Sequence, residues 1–253
     1  MKIFLKLLQL LYVLYAMIIF VVLMLLVLVL VIPASFFGKI RGGNFIYRLC
    51  RFWASTWFAL TGIRQRNFYT SPHDPHRALI FVANHISYID IPVVIKALKQ
   101  PIRILGKAEM ARIPVFGFIY SRAAVLVDRS STENRAKSVK ILKSVLKKGI
   151  SVVIYPEGTF NLTDEPLKDF YDGAFRIAIE TNTPIKPLIL ADTLARMHYK
   201  SLLAFSPGPS RVIFMDEIPV SGLTLADVPA LKQRVHALMT AEMRKLAAPK
   251  QTV

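Results

Sequence analysis

The densest concentration of reactive side chains lies in the segment Asn84-His85-Ile86-Ser87-Tyr88-Ile89-Asp90. Histidine is the side chain best able to accept a proton near neutral pH, and a carboxylate behind it fixes its tautomer and stabilises the imidazolium it becomes. Five positions separate His85 from Asp90, which permits contact if the chain turns tightly between a strand end and a helix start. Both are predicted here. Residues 78–83 form an apolar strand pattern, and the Asp90-Ile91-Pro92 step reads as a helix start with Asp90 as cap and proline in the first turn. Asp90 would then hold one ring nitrogen of His85 and leave the other as a general base. On spacing alone, a local hydrogen bond with no catalytic task fits the same residues. Ser87 is a weaker candidate for a nucleophile, because no elbow-type glycines flank it.

The elements needed to position these groups follow from hydrophobic patterning. Beyond residue 64, short and nearly continuous apolar runs at 78–83, 102–106, 123–127, 151–155, 185–190 and 211–215 alternate with helical patterns at 91–99, 132–148, 167–181 and 227–246. That alternation predicts an α/β domain with a largely parallel sheet flanked by helices, its strands buried on both faces. In such sheets ligands bind beyond the carboxyl ends of the strands, where His85 falls. Residues 197–209 fit no element and read as an insertion loop.

Further junctions carry a family resemblance. The 84–90 segment resembles the first signature block, N-H-x-S-x-x-D, of the 1-acylglycerol-3-phosphate O-acyltransferases, and three more blocks follow in the family's order. Ala123 to Arg129 is similar to G-x-I-F-I-D-R, Tyr155 to Phe160 to F-P-E-G-T-R, and Thr183 to Leu188 to V-P-I-V-P-V; Lys107-Ala-Glu109 resembles the family's Lys-x-Glu step. The likeness covers about residues 63–219. It implies transfer of a fatty acyl group from a thioester, acyl-CoA or acyl carrier protein, to the sn-2 hydroxyl of lysophosphatidic acid, giving phosphatidic acid without a covalent enzyme intermediate. His85 and Asp90 would be the catalytic pair, with Lys107, Arg129, Glu157, Gly158, Thr159 and Lys168 binding substrate and neither metal nor cofactor required. Two residues depart from the pattern: Ala123 replaces a glycine, and Phe160 replaces the third block's arginine. Lys168 or Arg176 would have to restore that charge, or else the acceptor is another lyso-lipid such as a lyso-aminolipid. A non-catalytic lipid-binding protein of the same fold is a further alternative.

Composition sets the setting. Fifty-four per cent of the 253 residues are hydrophobic and 19% charged, which excludes disordered and collagen-like classes. The single cysteine, Cys50, leaves no internal disulfide or Cys-rich zinc site. Residues 10–32 contain no charge, amide or proline, and about 20 apolar residues suffice to cross a bilayer core of about 30 Å. A second helix over residues 44–60, capped by Asn44, carries Phe45, Leu49, Phe52, Trp53, Trp57 and Leu60 on one stripe and Arg48 and Arg51 on another face, a composition suited to the bilayer interface. The expected division is therefore residues 1–64 as membrane-anchoring helices and 65–253 as the α/β domain. Basic residues flanking the apolar run favour a catalytic domain on the cytoplasmic side. The net charge of +17 calls for anionic partners, and since no nucleic-acid motif is present the membrane and its lipids are the expected ones. The lysines of the 132–148 helix could press toward anionic lipid, or could line a solvated outer helix. The run 113–120 could line an acyl-chain tunnel or form a core helix.

Overall fold

A computed structural model describes residues 2–128 and 131–247. Seven strands form one sheet: β1 (Ile63–Tyr69), β2 (Ile80–Ala83), β3 (Ile102–Lys107), β4 (Ala124–Val127), β5 (Ser151–Ile154), β6 (Ile185–Leu190) and β7 (Gly208–Phe214), in the order β1-β7-β6-β2-β5-β3-β4. All neighbours are parallel except β6 and β7. The helices are α1 (Lys2–Ala34), α2 (Gly43–Leu60), α3 (Asp90–Ala97), α4 (Phe116–Ala123), α5 (Thr132–Lys147), α6 (Gly173–Thr181), α7 (Thr193–Arg196) and α8 (Val228–Ala247).

Strand alternation divides the core into two layers. Phe81, Ala83, Val153, Leu188 and Phe214 point toward α1, α2 and α3, while Ile80, Val82, Val152, Ile154 and Ile189 point toward α5, α6 and α8. Buried on both faces, the central strands lack any polar face, as their sequences imply. The edge strand β1 has no apolar run of its own. It is held by pairing with β7 and by two polar side chains: Gln65 Nε2 donates to Val93 O (3.1 Å) and Asn67 Nδ2 to Ala97 O (3.1 Å).

Two expectations change, the start of the 167–181 helix and the cap of α2, and one open alternative, the setting of the lysine-rich helix, is decided. The 167–181 helix begins only at Gly173, because the backbone N–H groups of Lys168 and Tyr171 bond Glu157 (2.9 Å) and Pro156 O (2.9 Å) instead of a helical turn. The lysine-rich α5 lies on the sheet face opposite α1 and α2, with Leu142, Val145 and Leu146 buried against the sheet and Lys143 paired with Glu180 at 2.8 Å. Its lysines are thus turned away from the apolar helices and form a solvated outer face. Asn44 does not cap α2: that helix starts at Gly43, and Asn44 Oδ1 accepts from Arg103 Nη2 (2.9 Å), tying α2 to β3.

Helix α1 buries a single stripe, Val13, Ala16, Val27, Val31 and Ala34, against the rest of the chain. Phe20 packs edge-on against Trp53 and Trp57 (4.9 and 5.1 Å between centroids), and Trp57 Nε1 donates to Ala16 O at 3.0 Å. The insertion loop completes this seam. Gln9 Nε2 donates to Phe205 O (2.6 Å), and the Phe205 ring stacks on Tyr12 and Trp57. The remaining faces of α1, with Phe45, Phe52 and Leu60 of α2, leave a broad apolar surface uncovered, far beyond the scattered apolar exposure of a soluble protein. One continuous cluster of buried side chains runs from α1 through α2 to the sheet.

Candidate active site

The site forms where β2 and β5 lie side by side and their following loops meet. After Ala83, Asn84 turns inward and pairs with the neighbouring strand: Leu190 N donates to its Oδ1 (2.8 Å) and its Nδ2 donates to Leu190 O (3.2 Å). The chain then doubles back so that the first residue of α3 faces His85. Asp90 Oδ2 accepts from His85 Nδ1, from Ile86 N and from Ser87 N, each at 2.8 Å. Asp90 is therefore not the helix cap; its carboxylate is the hub of the loop, itself fully buried. With Nδ1 engaged, Nε2 is the nitrogen available to take a proton, and the His85 side chain is 20% exposed.

The loop after β5 holds His85 from the other side. Glu157, 1% exposed, accepts from His85 N through Oε1 (2.9 Å) and from Lys168 N through Oε2 (2.9 Å). Asn161 N donates to His85 O (2.9 Å), so both backbone polar groups of His85 are fixed by this loop. Burial pushes the Glu157 carboxyl above the ordinary glutamate value, opposed by the two amides it accepts from. Gly158 adopts φ +73°, closing the turn from Tyr155 O to Gly158 N (3.0 Å), a conformation in which a side chain would be strained. Tyr155 stacks on the imidazole at 4.2 Å between centroids, and Phe160 meets it edge-on at 4.5 Å and Tyr88 at 5.0 Å.

The remaining predicted residues fall into distinct places. Thr159 is exposed, and its Oγ1 accepts from Lys168 Nζ (2.8 Å), so Lys168 stands at the mouth of the site beside Phe160. Arg176 instead pairs with Glu180 (3.6 Å) on α6. Lys107 ends β3, exposed, two strands from β2, a lateral span of about 10 Å at the usual strand spacing. Arg129 lies outside the described residues; Val127, two positions before it, pairs with Lys107 across the β3–β4 ladder. Ser87 is fully buried and donates Oγ–H to Met197 O (2.6 Å), which removes it as a nucleophile and links the 84–90 loop to the insertion. No group of His, Cys, Asp and Glu suited to a metal occurs among the described residues. Neither Asn161 nor the stacking role of Tyr155 is legible in the sequence, since neither type nor spacing distinguishes a backbone staple or a stacking ring.

A protein-family model for acyltransferases matches residues 63–191, half the chain, from β1 to the end of β6. The chain belongs to the acyltransferase family. Among characterised relatives it is similar to the 1-acyl-sn-glycerol-3-phosphate acyltransferase of Cocos nucifera, 30% identical over 161 residues, covering 63% of this chain and 52% of that protein. It also matches the lyso-ornithine lipid O-acyltransferase of Pseudomonas aeruginosa, 26% identical over 221 residues, covering 81% and 82%. The chain spans only about half the length of the first of these. In fold it follows the crystal structure of the 1-acyl-sn-glycerophosphate acyltransferase of Thermotoga maritima, with a TM-score of 0.75 over the whole of both chains at 20% identity.

Proposed function

We propose that the protein transfers a fatty acyl group from an acyl thioester, on coenzyme A or acyl carrier protein, to a hydroxyl of a single-chain lipid in the membrane. The observation that carries this is the 2.8 Å contact between His85 Nδ1 and Asp90 Oδ2 beyond the end of β2, with the imidazole reachable from outside. His85 Nε2 takes the acceptor's hydroxyl proton as that oxygen bonds to the thioester carbonyl carbon. The C–S bond then breaks, and the thiolate leaves with the proton the imidazolium returns. A good leaving group lets positioning of hydroxyl and base supply much of the acceleration. The acceptor is brought by the apolar surface of α1 and α2, which seats the protein in the bilayer with its α/β domain on the cytoplasmic side.

The acceptor we favour is lysophosphatidic acid, acylated at sn-2 to phosphatidic acid, its phosphate held by Lys107, Arg129 and Lys168. A specific observation supports a second acceptor, a lyso-aminolipid: Phe160 stands against His85 where the family's third block has arginine. The similarity to a lyso-ornithine lipid O-acyltransferase over four-fifths of both chains points the same way. The test is a panel crossing acyl-CoA and acyl carrier protein donors with lysophosphatidic acid and lyso-aminolipids in membranes holding the protein. We expect turnover that His85→Ala abolishes with thermal unfolding retained; equal turnover in that variant overturns the base assignment. Phe160→Arg lowers the KM for lysophosphatidic acid if that lipid is the acceptor, and leaves it unchanged if the phosphate assignment is wrong.

A further inference from the structure

Helix α5 turns a basic stripe to solvent. Leu142, Val145 and Leu146 are buried against the sheet, whereas Lys137, Lys140, Lys147 and Lys148 are exposed on the other side, with Ile141 41% exposed among them. None of these four lysines pairs with a carboxylate among the described residues. Glu133 is the one acid of the helix, and Glu180 of the neighbouring α6 is shared by Lys143 (2.8 Å) and Arg176 (3.6 Å), so that flank is also net positive. Like charges gathered on one face repel, and an anionic partner removes that cost.

The setting of the stripe narrows the partner. Because α5 packs on the sheet face opposite α1 and α2, a bilayer that takes the apolar surface of those helices lies on the far side of the molecule. Its anionic lipids are out of reach. From Lys137 to Lys147 the stripe runs about 15 Å along the axis, longer than any single phosphate group can engage. An extended row of cations with an apolar side chain in its middle suits an acidic protein surface. The row also begins at the end of the sheet that carries His85. Ser138 Oγ donates to Leu126 O of β4 (2.9 Å), and Asn134 Nδ2 donates to Asp128 Oδ2 (2.9 Å) just after that strand. Strand β4 stands three strands from β2, all of them parallel, a lateral span of about 14 Å with Lys107 of β3 between.

We propose that the exposed face of α5 docks an acidic acyl carrier protein as the acyl donor, whose phosphopantetheine arm reaches across the β3–β4 edge of the sheet to His85. The inference rests on the acyl-transfer reading above and names the donor which that reading left open. Carboxylates of the carrier meet Lys137, Lys140, Lys147 and Lys148, and its extended arm bridges the lateral span. The reaction itself is unchanged: the acceptor oxygen bonds to the thioester carbonyl carbon, the C–S bond breaks, and the arm leaves as a free thiol with the proton that His85 returns. The lysines act on encounter with the carrier and leave the chemical step alone.

The test uses the full-length protein in nanodiscs of phosphatidylcholine. Binding of palmitoyl-acyl carrier protein is read by fluorescence anisotropy, and turnover is read with palmitoyl-acyl carrier protein and with palmitoyl-CoA, each against lysophosphatidic acid and a lyso-aminolipid. Lys137→Glu combined with Lys140→Glu should weaken carrier binding about tenfold and lower kcat/KM for the carrier donor by about the same factor. With palmitoyl-CoA the same variant should stay within about twofold of wild type. Arg64→Glu combined with Arg66→Glu makes an equal charge change on the exposed edge strand β1, and should alter neither donor. Raising salt from about 0.05 M to about 0.5 M should slow the wild type with the carrier donor and erase its advantage over the α5 variant. Carrier that does not bind, a loss from the α5 variant that is equal for both donors, or an equal loss from the β1 variant overturns the proposal. Carrier binding that depends on Lys137 and Lys140, without acyl transfer from either donor, would uphold the surface and count against the activity instead.

Discussion

Replacing Glu157 by glutamine separates the clamp on His85 from the chemistry of His85. Both carboxylate oxygens are committed, one to His85 N and one to Lys168 N at 2.9 Å each, and the side chain is 1% exposed. Glutamine offers one carbonyl and one NH2, so one backbone N–H must face a donor. The lost charge-assisted hydrogen bond and the unpaired buried amide together cost about 2–4 kcal/mol. Removing a buried charge returns part of this, leaving a net loss of about 2 kcal/mol. For a chain of this size that lowers Tm by about 4–8 °C. A released His85 backbone also misplaces the base, and kcat should fall about tenfold, since sub-ångström misplacement is costly in a positioned reaction.

A pH dependence accompanies the change. Burial holds the Glu157 carboxyl above the ordinary value of 4.5 in the folded state, so the folded protein takes up this proton more readily than the unfolded chain. The carboxyl's contribution to stability is full below 4.5 and is lost as pH rises through the higher folded value. Glutamine does not titrate, so the Tm gap between wild type and Glu157→Gln should widen as pH falls from 7 toward 4.5. Calorimetry across this range, with turnover at each pH, makes the measurement. A Tm within about 2 °C of wild type and an unchanged kcat would refute the clamp.

Ser87→Ala removes the bond to Met197 O and the longer one that Ser87 Oγ accepts from Ile89 N (3.4 Å), so it should cost about 1–2 kcal/mol in denaturant unfolding and leave the reaction intact; loss of all activity would restore Ser87 as a nucleophile. Lys186, fully buried on β6 with Glu217 at 3.6 Å, lies near the start of its strand, away from His85. Lys186→Met should therefore change stability by no more than about 1 kcal/mol with turnover unaffected, since it removes a fully buried charge while Glu217, itself partly exposed, keeps its pairing with Arg77.

Much of the sheet was legible because buried parallel strands have to be apolar throughout. The run 185–190 matches β6 at both ends, and 151–155 and 123–127 match β5 and β4 to within a residue. Strand β1 was not, because Arg64, Gln65, Arg66 and Asn67 carry no strand signal; β7 and the carbonyls of α3 hold it in place. The stretch 167–172 has helical periodicity, yet its amides are claimed by Glu157 and Pro156, and hydrogen bonds to the loop after β5 outweigh local propensity. The apolar stripe foreseen on α2 divides in space, with Trp57 buried and Phe45, Phe52 and Leu60 left outside, since hydropathy does not distinguish a side chain meant for the core from one meant for lipid.

By itself the sequence determined the alternation of strands and helices, the apolar N-terminal run, and the five-residue spacing that lets His85 and Asp90 meet, because these depend on residues near one another along the chain. Tertiary structure alone decided that β2 and β5 are neighbours, and hence that Glu157, Asn161, Tyr155 and Phe160 enclose the imidazole from some 70 residues away. It also set α5 on the face remote from α1 and α2. The order of strands in a sheet follows from how whole faces pack and which crossovers close, and no local stretch of chain encodes that.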